Sequence, residues 1–558
     1  MRPTTHLLIL FCLLYCLSCK KQQDPEPPEQ FSYKPESVQV NGQKSSNMSF
    51  QNVGVNPVIT VSFSAPIQKT SVETALQLVQ PLTGISTPLN YTISLGDTLL
   101  TVTPKSALAP LTIYRFLIQP TLTSQRSTTL SSSLTINFIT SLDSTDKFPR
   151  ISDDVLLDLV QKQTFKYFWD FGHPVSGMAR ERNSSGDVVT SGGTGFGVMS
   201  ILVGINRNFI TRQDGLTRLT TIANFLTNKA SRYHGAFPHW LNGATGATVP
   251  FSAKDDGADL VETSYLMQGL LTARQYFNST TDANEIALRN TINALWNGVE
   301  WNWFTKNGAE TNLYWHWSPN YNWDMNLPIR GWNEALITYV LAASSNTSPI
   351  TKTVYDNSWA QNGKLVNGNS YYGIKLPLGS PYGGPLFFSQ YSFLGINPHD
   401  LKDAYADYWQ QNTDHSLINY TYCKTNPKQY VGYSQNCWGL TASDQQDGYS
   451  ARDPTNDNGT IAPTAALSAM PYIPTESMQA LRFFYYTLGD KIWQQYGFVD
   501  AFNLTNIWFA NSFLAIDQGP IIVMIENQRS QLLWNLFMSC PEVKKGMKNL
   551  GFQSPNLN

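Results

Sequence analysis

Short apolar runs separated by polar turn residues fill the first part of the chain, from about Phe31 to Leu142. Runs such as VITVSFSAP (58–66) and IYRFLIQP (113–120) are rich in β-branched and aromatic residues and end at proline, which is typical of β-strands. About seven such runs follow one another in about 110 residues, the density of an immunoglobulin-like sandwich. We therefore predict a small all-β sandwich over residues 31–145.

After about Ser152 the apolar positions recur with the period of a helix. The segment SDDVLLDLVQKQTFKYFWDF begins with a capping serine and acids in the first turn, and its remainder is amphipathic. Long glycine-rich and aromatic connections separate the helical segments, and no alternation of strands with helices is seen. We predict an all-α toroid of six helix pairs, an (α/α)6 barrel, over residues 150–552, with loops around a concave mouth. Further helices are expected to begin near Thr194, Asp214, Asp255, Asp282, Arg330, Asp400, Thr464, Pro474, Thr505 and Gly519.

The N-terminus has the pattern of a bacterial lipoprotein signal over residues 1–19. Arg2 precedes an apolar run from Leu7 to Leu17, which is too short to span a bilayer, and LSCKK places Cys19 after a small residue. We expect cleavage before Cys19, whose thiol carries the lipid, and a charged, proline-rich tether over residues 20–30. The mature protein is then expected to be an outer-membrane lipoprotein, periplasmic or on the cell surface, attached to the membrane through this lipid.

The composition of the chain excludes some classes of function. The formal net charge is −2 and charged residues make up 14%, so there is no electrostatic case for nucleic acid binding. Aromatic residues make up 13%, and all 15 tryptophans follow residue 168, which favours a ligand bound by flat apolar faces. In an oxidising compartment Cys423 and Cys437 can pair, with Cys540 buried and free. No histidine or cysteine spacing indicates a metal site, so we expect no metal and no cofactor; we also expect a monomer.

The stretch DDGADLVETSYLMQG (255–269) places acids on the apolar side of a predicted helix. On a helical period Asp259 and Glu262 share a face with Leu266, whereas solvated acids normally lie opposite the apolar stripe. A structural acid that pairs with an arginine or caps a helix would explain this pattern. The functional alternative is a carboxyl group whose pKa is raised by burial, so that Glu262 can protonate a leaving oxygen.

A second acidic cluster lies in a long polar segment that begins WGLTASDQQDGYSARD (438–453). Turn formation alone would explain its aspartates, because Asp and Gly favour turns. Long loops at the mouth of a helical toroid are also common sites of function. Asp444 and Asp447 are both candidates for the carboxylate that activates water opposite Glu262, which would complete the two acids that glycoside hydrolysis needs.

Aromatic and amide residues recur together in four segments of the helical region. GAFPHWLNG, LYWHWSPNYNW, IRGWNEALI and GPLFFSQYSFLG combine Trp, Tyr or Phe with His, Asn, Gln or Arg. Sugar rings present apolar faces and a rim of hydroxyl groups, so this combination favours a glycan cleft over a peptide or lipid site.

These segments together resemble the glucoamylase-like family of Bacteroidetes and related bacteria, which includes the endo-β-1,2-glucanases of glycoside hydrolase family 144. The motifs that carry the resemblance run in order over about residues 150–550, among them HGAFPHWLNG, DDGADLVETSYLMQGLL, IRGWNEALITYVLA and AIDQGPIIVMIEN. The β-segment lies outside this match and resembles the Big-type Ig-like domains of secreted bacterial proteins.

The resemblance implies an (α/α)6 barrel that hydrolyses β-1,2-glucan with inversion, in an endo or a sophorose-releasing mode. Glu262 matches the family's best candidate for the general acid, and Asp444 and Asp447 both remain candidates for the base. Motif position and residue chemistry give a set of candidate sugar contacts, namely Arg180, Glu181, His239, Trp240, Asp255, Asp259, Trp332, Asn333, Glu334, Gln390 and Tyr391.

Two alternatives stay open at this point. The residues do not distinguish a β-1,2 from an α-1,4 linkage, so an α-glucan hydrolase of glucoamylase type is one alternative. A surface lipoprotein that binds glycan without cleaving it is the other, because the same aromatic residues would serve it.

Overall fold

The computed structural model describes residues 31–558, so the predicted signal, Cys19 and the tether lie outside the described residues. The chain divides into two compact units between Ser141 and Leu142, close to the boundary predicted at residues 145–150. In the described range, no helix is both long enough and apolar enough to cross a membrane.

The first unit consists of two four-stranded sheets. Their strands span Pro35–Val40 (β1), Ser49–Val53 (β2), Ile59–Phe63 (β3), Leu76–Val79 (β4), Leu89–Ser94 (β5), Leu99–Pro104 (β6), Ile113–Ile118 (β7) and Leu134–Thr140 (β8). One sheet has the strand order β1-β3-β6-β5 and the other the order β2-β8-β7-β4, and all neighbouring strands are antiparallel except the parallel pair β2 and β8. Alternate residues of both sheets, such as Ile59, Val61, Phe116 and Ile118, are buried in one apolar core.

The second unit is built from helices, several of which begin at a side chain that caps the backbone. Thr211, Asp259 and Asp407 each accept a hydrogen bond from a backbone N–H in the first turn of the helix that follows. The longer helices span Asp153–Trp169, Ser191–Asn206, Arg212–Asn228, Leu260–Tyr276, Ala283–Asn297, Leu336–Ser344, Tyr408–Thr425, Pro463–Ser468, Pro474–Arg482, Ala515–Ser530, Leu532–Met538 and Pro541–Leu550.

Short β-pairs join the ends of these helices. Val188–Thr190, Trp240–Asn242 and Thr248–Val249 form a three-stranded sheet, and Ala258–Asp259 pairs with His316–Trp317. Ala442–Gln445 and Gly448–Ala451 form a hairpin, which we call the 442–451 hairpin. The remaining pairs are Ser370–Tyr371 with Ile374–Lys375, Trp493–Gln494 with Gly497–Phe498, and Phe502–Asn503 with Trp508–Phe509.

The glycine-rich start of the helix Ser191–Asn206 allows it to touch the helix Leu260–Tyr276 backbone to backbone. A Cβ atom built on Gly195 would lie 2.1 Å from the carbonyl oxygen of Tyr265, and one on Gly269 would lie 2.2 Å from the carbonyl oxygen of Gly195. Neither position accepts a larger residue, so the motif TSGGTGFG serves close helix packing.

Three expectations about the elements and the cysteines differ from the structure. The helix expected near Asp400 begins at Tyr408, because Asp407 caps its first turn. No helix begins near Thr505, because Asn503 accepts a hydrogen bond from the N–H of Asn506 and closes a turn between two short strands. Cys423 and Cys437 are free, buried thiols rather than a disulfide, and Cys540 is buried and free as expected.

Candidate active site

A cavity of about 430 Å³ opens beside the N-termini of the helices Ser191–Asn206, Leu260–Tyr276 and Ala515–Ser530. It combines acids, one arginine, one histidine and several aromatic rings, which is the composition expected of a sugar site. Its lining residues are Glu181, Arg182, Thr190, His239, Trp240, Phe251, Glu262, Trp315, Glu334, Phe387, Tyr391, Ala442, Tyr449, Ala451, Leu514 and Ile516.

Glu262 lines this cavity and contacts the N-terminus of the neighbouring helix Ser191–Asn206. Its Oε2 atom accepts a hydrogen bond from the N–H of Gly192 at 2.9 Å and one from the hydroxyl of Thr190 at 3.3 Å. Burial raises the pKa of Glu262 above its ordinary value, while charged His239 and these two hydrogen bonds favour the ionised form. Glu262 is therefore a buried carboxyl group that two hydrogen bonds hold in place.

Asp259 caps the helix that carries Glu262 and also contacts two histidines. Its Oδ1 atom accepts the N–H of Glu262 at 2.9 Å, and its Oδ2 atom lies 3.1 Å from Nδ1 of His239 and 3.5 Å from Nε2 of His316. Nε2 of His316 also lies 3.2 Å from Oδ2 of Asp255. The four side chains form a buried chain of alternating acids and histidines, and only His239 reaches the cavity.

The opposite charges of these four side chains stabilise one another. Burial opposes a charged imidazole, but the neighbouring carboxylates outweigh it and raise the pKa of His239 to about 9 and that of His316 to about 10. Burial also opposes an ionised Asp259, but the two histidines hold its pKa well below the ordinary value. His239, Asp255 and Asp259 each bring one potential ligand atom to within 4.8 Å of the others, and the histidine–carboxylate pairs already account for this proximity.

Glu334 is a second carboxyl group on the cavity wall. Among the described residues, no side chain donates a hydrogen bond to it. Burial raises the pKa of Glu334 to about 7, and the negative charges of Glu262 and Asp259 act in the same direction. Glu334 is thus suited to carry a proton near neutral pH.

Arg182 connects two acids on another part of the wall. Its Nε lies 2.9 Å from Glu181 and its Nη1 lies 3.1 Å from Oδ2 of Asp444, which also accepts the hydroxyl of Ser512. Burial opposes the charge of Arg182, but these two acids outweigh it and raise its pKa. Asp444 is therefore bound by a guanidinium group and a hydroxyl group, and it lies beside the cavity without lining it.

Behind Asp444 lies a pair of buried acids. Asp500 accepts the N–H of Asp444 at 2.6 Å, and Asp517 accepts the hydroxyl of Tyr391 at 3.5 Å. Burial raises the pKa of Asp500 to about 7, and burial together with the neighbouring Asp500 raises that of Asp517 well above its ordinary value. Two adjacent buried carboxyl groups cannot both ionise readily, so this pair retains a proton at neutral pH.

Several predicted residues, Asp444 and Asp447 among them, do not line the cavity. Asp447 is exposed in the turn of the 442–451 hairpin, while Asp444 lies in its first strand.

Arg180 stacks over Phe171 and donates to its carbonyl oxygen. Trp332 packs against Trp359, Phe393 and Tyr408, Gln390 donates to the carbonyl oxygen of Ala465, and Asn333 bonds to the backbone of Arg330 and Ala335. Of the predicted sugar contacts, Glu181, His239, Trp240, Glu334 and Tyr391 line the cavity.

Sequence reasoning did not select Arg182, His316, Asp500 or Asp517. Arg182 follows Arg180 and Glu181, the two residues that were predicted in GMARER, and its position next to Glu181 was the available signal. Asp517 stands in AIDQGPIIVMIEN, another motif of the family resemblance. His316 and Asp500 are brought to the site by short β-pairs and a backbone contact, for which the local sequence offers no pattern.

Known proteins match both units. Residues 326–541 match the glycoamylase family model, described as "Putative glucoamylase", and residues 38–140 match the bacterial Ig-like domain model. The chain is 47% identical over 421 residues to an exo β-1,2-glucooligosaccharide sophorohydrolase (non-reducing end) of Parabacteroides distasonis. That match covers 72% of this chain and 58% of the relative, so the chain spans less than two thirds of the length of this curated relative.

Solved structures match most of this chain. The endo-β-1,2-glucanase of Chitinophaga pinensis, in complex with sophorotriose and glucose, is 52% identical, with a TM-score of 0.71, and the match covers 73% of this chain and 100% of that one. The β-1,2-glucanase of Parabacteroides distasonis is 37% identical, with a TM-score of 0.70, over 93% of this chain and 73% of that one. The chain therefore belongs to the glycoamylase family, with a bacterial Ig-like domain ahead of its helical unit.

Proposed function

We propose that this protein is a glycoside hydrolase that cleaves β-1,2-glucan with inversion, in a cavity at the mouth of an (α/α)6 barrel. The observation that carries the proposal is a cavity wall that holds Glu262 and a proton-holding Glu334, with Asp444 ion-paired to Arg182 of the same wall. The relatives named as β-1,2-glucanases and as a sophorohydrolase support the choice of linkage.

Glu334 is the better proton donor of the two glutamates in the cavity. Glu262 is bound by Gly192 and Thr190, and these contacts, with the helix N-terminus, stabilise its negative charge. Within residues 31–558, Glu334 accepts a hydrogen bond only from its own backbone N–H, and burial outweighs that contact and raises its pKa to about 7, which leaves it protonated in a large fraction of molecules at neutral pH. Glu262, the acid candidate from the sequence, then serves as the negative neighbour that keeps Glu334 protonated.

Asp444 is the better base of the two aspartates in the hairpin. A general base must be fixed in place, and Arg182 and Ser512 both bind the Asp444 side chain. Neither aspartate lines the cavity itself, but Asp444 contacts Arg182, which does, whereas Asp447 is exposed in the turn. Asp444 would therefore accept a proton from the water that attacks the anomeric carbon, while Glu334 protonates the leaving oxygen.

The aromatic residues of the cavity support a sugar as the ligand. Trp240, Phe251, Trp315 and Tyr449 offer ring faces for the apolar sides of glucose units. His239 and Arg182 offer hydrogen-bond donors for hydroxyl groups. The cavity lining holds a single arginine and no lysine, which suits a neutral glycan better than an acidic one.

The same proposal includes the location of the protein. Cleavage before Cys19 and lipidation of its thiol would place the enzyme on the outer membrane, where it meets glucan outside the cytoplasm. Growth in the presence of a radiolabelled fatty acid should label the intact protein and leave a Cys19→Ser variant unlabelled.

Incubation of the chain that lacks residues 1–19 with linear β-1,2-glucan, and separately with starch, tests the substrate. We expect short β-1,2-linked products from the first and none from the second. Sophorose as the sole early product would indicate disaccharide release, and a ladder of lengths would indicate endo cleavage. Activity on starch alone would replace the proposal by α-glucan hydrolysis, and binding without cleavage would favour a glycan-binding lipoprotein.

A further inference from the structure

The four-residue chain beside Glu262 extends from the interior to the cavity. Asp255, His316 and Asp259 are less than 10% exposed, whereas the side chain of His239 is 24% exposed and lines the cavity. Each contact along the chain joins a ring nitrogen to a carboxylate oxygen over 3.1–3.5 Å. The four-residue chain therefore ends at the His239 ring, which a substrate can reach.

The backbone fixes both His316 and Asp259. They lie directly opposite one another in a short antiparallel pair, and the N–H of Leu260 donates to the carbonyl oxygen of Trp315 at 2.9 Å. One oxygen of Asp259 is already used by the N–H of Glu262, so the other is directed at the two histidines. His316 therefore stabilises the carboxylate that holds His239.

The contact with Asp259 also decides which nitrogen of His239 is available. Nδ1 bonds to Asp259, and the ring stacks on Phe251 with 4.3 Å between ring centroids. Nε2 has no hydrogen-bond partner among the described residues, and it belongs to a ring that lines the cavity beside Glu262. A ring held in this way presents one N–H to a ligand.

We propose that His316 is a positioning residue of this site, which acts through Asp259 to hold the His239 ring with Nε2 directed at a sugar hydroxyl group next to Glu262. The inference rests on the proposed function for the identity of the ligand. The orientation of the His239 ring can be observed without substrate, so this part of the inference does not depend on the proposed function. A bound metal ion would be the competing explanation for the cluster of His239, Asp255 and Asp259.

Two substitutions of His316 separate positioning from space filling. His316→Phe keeps a ring but removes the donor, and we expect kcat/KM on β-1,2-glucan to fall 10- to 100-fold. His316→Gln keeps an N–H near the position of Nε2, and we expect it to restore kcat/KM to within about threefold of the parent chain. Equal losses in both variants would overturn the proposal.

A double-mutant cycle tests whether His316 acts through His239. In a His239→Phe background, His316→Phe should reduce kcat/KM by less than about twofold, because the group that it positions is already absent. A purely structural role predicts that the two losses multiply, with a lower melting temperature in both backgrounds. Multiplying losses would contradict the proposal.

A crystal structure of His316→Gln and one of His316→Phe, both without ligand, give a readout that needs no activity. We expect the His239 ring to keep its contact with Asp259 in the first and to lose it in the second. If His316→Phe does not fold, Asp255→Asn replaces it, and we expect a smaller rotation of the same ring. An unchanged ring would overturn the proposal even if β-1,2-glucan proves not to be the substrate, whereas an inactive parent chain with a rotated ring would overturn only the proposed function.

Dialysis against EDTA provides the last test. Unchanged activity, with no metal in the dialysed protein, supports a hydrogen-bonded chain. Loss of activity that Zn²⁺ or Mn²⁺ restores would overturn it in favour of a metal site.

Discussion

At the residue scale, the carboxyl groups in the cavity and beside it differ in the partners that bind them. Glu262 is bound by a backbone N–H and a hydroxyl, Asp444 by Arg182 and Ser512, and Glu334 by no other side chain among the described residues. Hydrogen bonds to a carboxylate favour its ionised form, whereas burial without them favours the acid. The proposed roles follow from this difference.

The role of Glu334 can be tested by substitution and by pH. Glu334→Gln should lower kcat about 10³-fold, because general acid catalysis contributes about 10²–10⁴-fold. The acid must be protonated, so kcat/KM of the parent chain should fall as the pH rises through about 7, the pKa to which burial raises Glu334. Glu300→Gln, at an exposed acid paired with His234, is the control and should leave kcat within twofold. A basic limb only above pH 9, or a Glu334→Gln variant that retains a tenth of the activity, would remove Glu334 from this role.

Gly192 can be tested as the residue that makes room for the Glu262 carboxylate. A Cβ atom at this position would lie 2.2 Å from Oε2 of Glu262 and 2.9 Å from the ring of Tyr265. We expect Gly192→Ala to lower kcat at least tenfold by displacing Glu262, as measured on β-1,2-glucan. Gly54→Ala, where a Cβ atom meets nothing within 4 Å, is the matched control. Normal turnover in Gly192→Ala would mean that the position of Glu262 does not matter for catalysis.

At the scale of elements, the register of the 442–451 hairpin places Asp444 and Asp447 in different surroundings. Asp444 and Tyr449 lie directly opposite one another, as do Ala442 and Ala451, so these four residues share one face of the hairpin. Ala442, Tyr449 and Ala451 line the cavity, and Asp444 pairs with Arg182, which also lines it. Asp447 lies in the turn, beyond the last residue pair.

The two aspartates should therefore respond differently to the same substitution. Asp444→Asn should lower kcat about 10³-fold or more, since it removes the proposed base and one partner of Arg182. Asp447→Asn should stay within twofold of the parent chain, because an exposed turn residue has no role in the reaction. The reverse result, measured as initial rates of reducing-end release, would assign the base to Asp447.

The sequence predicted elements better than it predicted contacts. The strand pattern before Leu142 and the amphipathic segment after Ser152 are local, and both appear in the structure. The choice between Asp444 and Asp447 depends on the register of a hairpin, and the role of His316 depends on a β-pair with a residue far along the chain. The helix predicted near Thr505 is absent for a similar reason. The side chain of Asn503 closes a turn there, and composition does not reveal this contact.

Burial also limited the prediction of sugar contacts. Trp332 and Gln390 have the residue chemistry of a glycan site, yet both pack in the interior, where Trp332 meets other rings and Gln390 satisfies a backbone carbonyl. In contrast, His239 and Trp240 lie in a motif of the same composition and do line the cavity. Composition alone cannot separate an aromatic residue of the core from one at a ligand surface.

At the scale of the whole molecule, the helical unit contains every residue to which we assign a role in the reaction. It is a separate compact unit from Leu142 onward, and a related glucanase structure is matched over 100% of its length by 73% of this chain. We expect residues 142–558 alone to fold cooperatively and to hydrolyse β-1,2-glucan with kcat within about twofold of the full chain. A loss of more than tenfold, with the melting transition retained, would mean that the Ig-like unit takes part in the reaction.

The measurement that tests the account most directly is proton NMR of the anomeric region during the first minutes of reaction with linear β-1,2-glucan. A single-displacement reaction between Glu334 and Asp444 predicts that new reducing ends appear first as the α-anomer and convert to the β-anomer by mutarotation. Reducing ends that appear first as the β-anomer would contradict inversion and the assigned base. If no reducing ends appeared, the proposed substrate itself would be wrong.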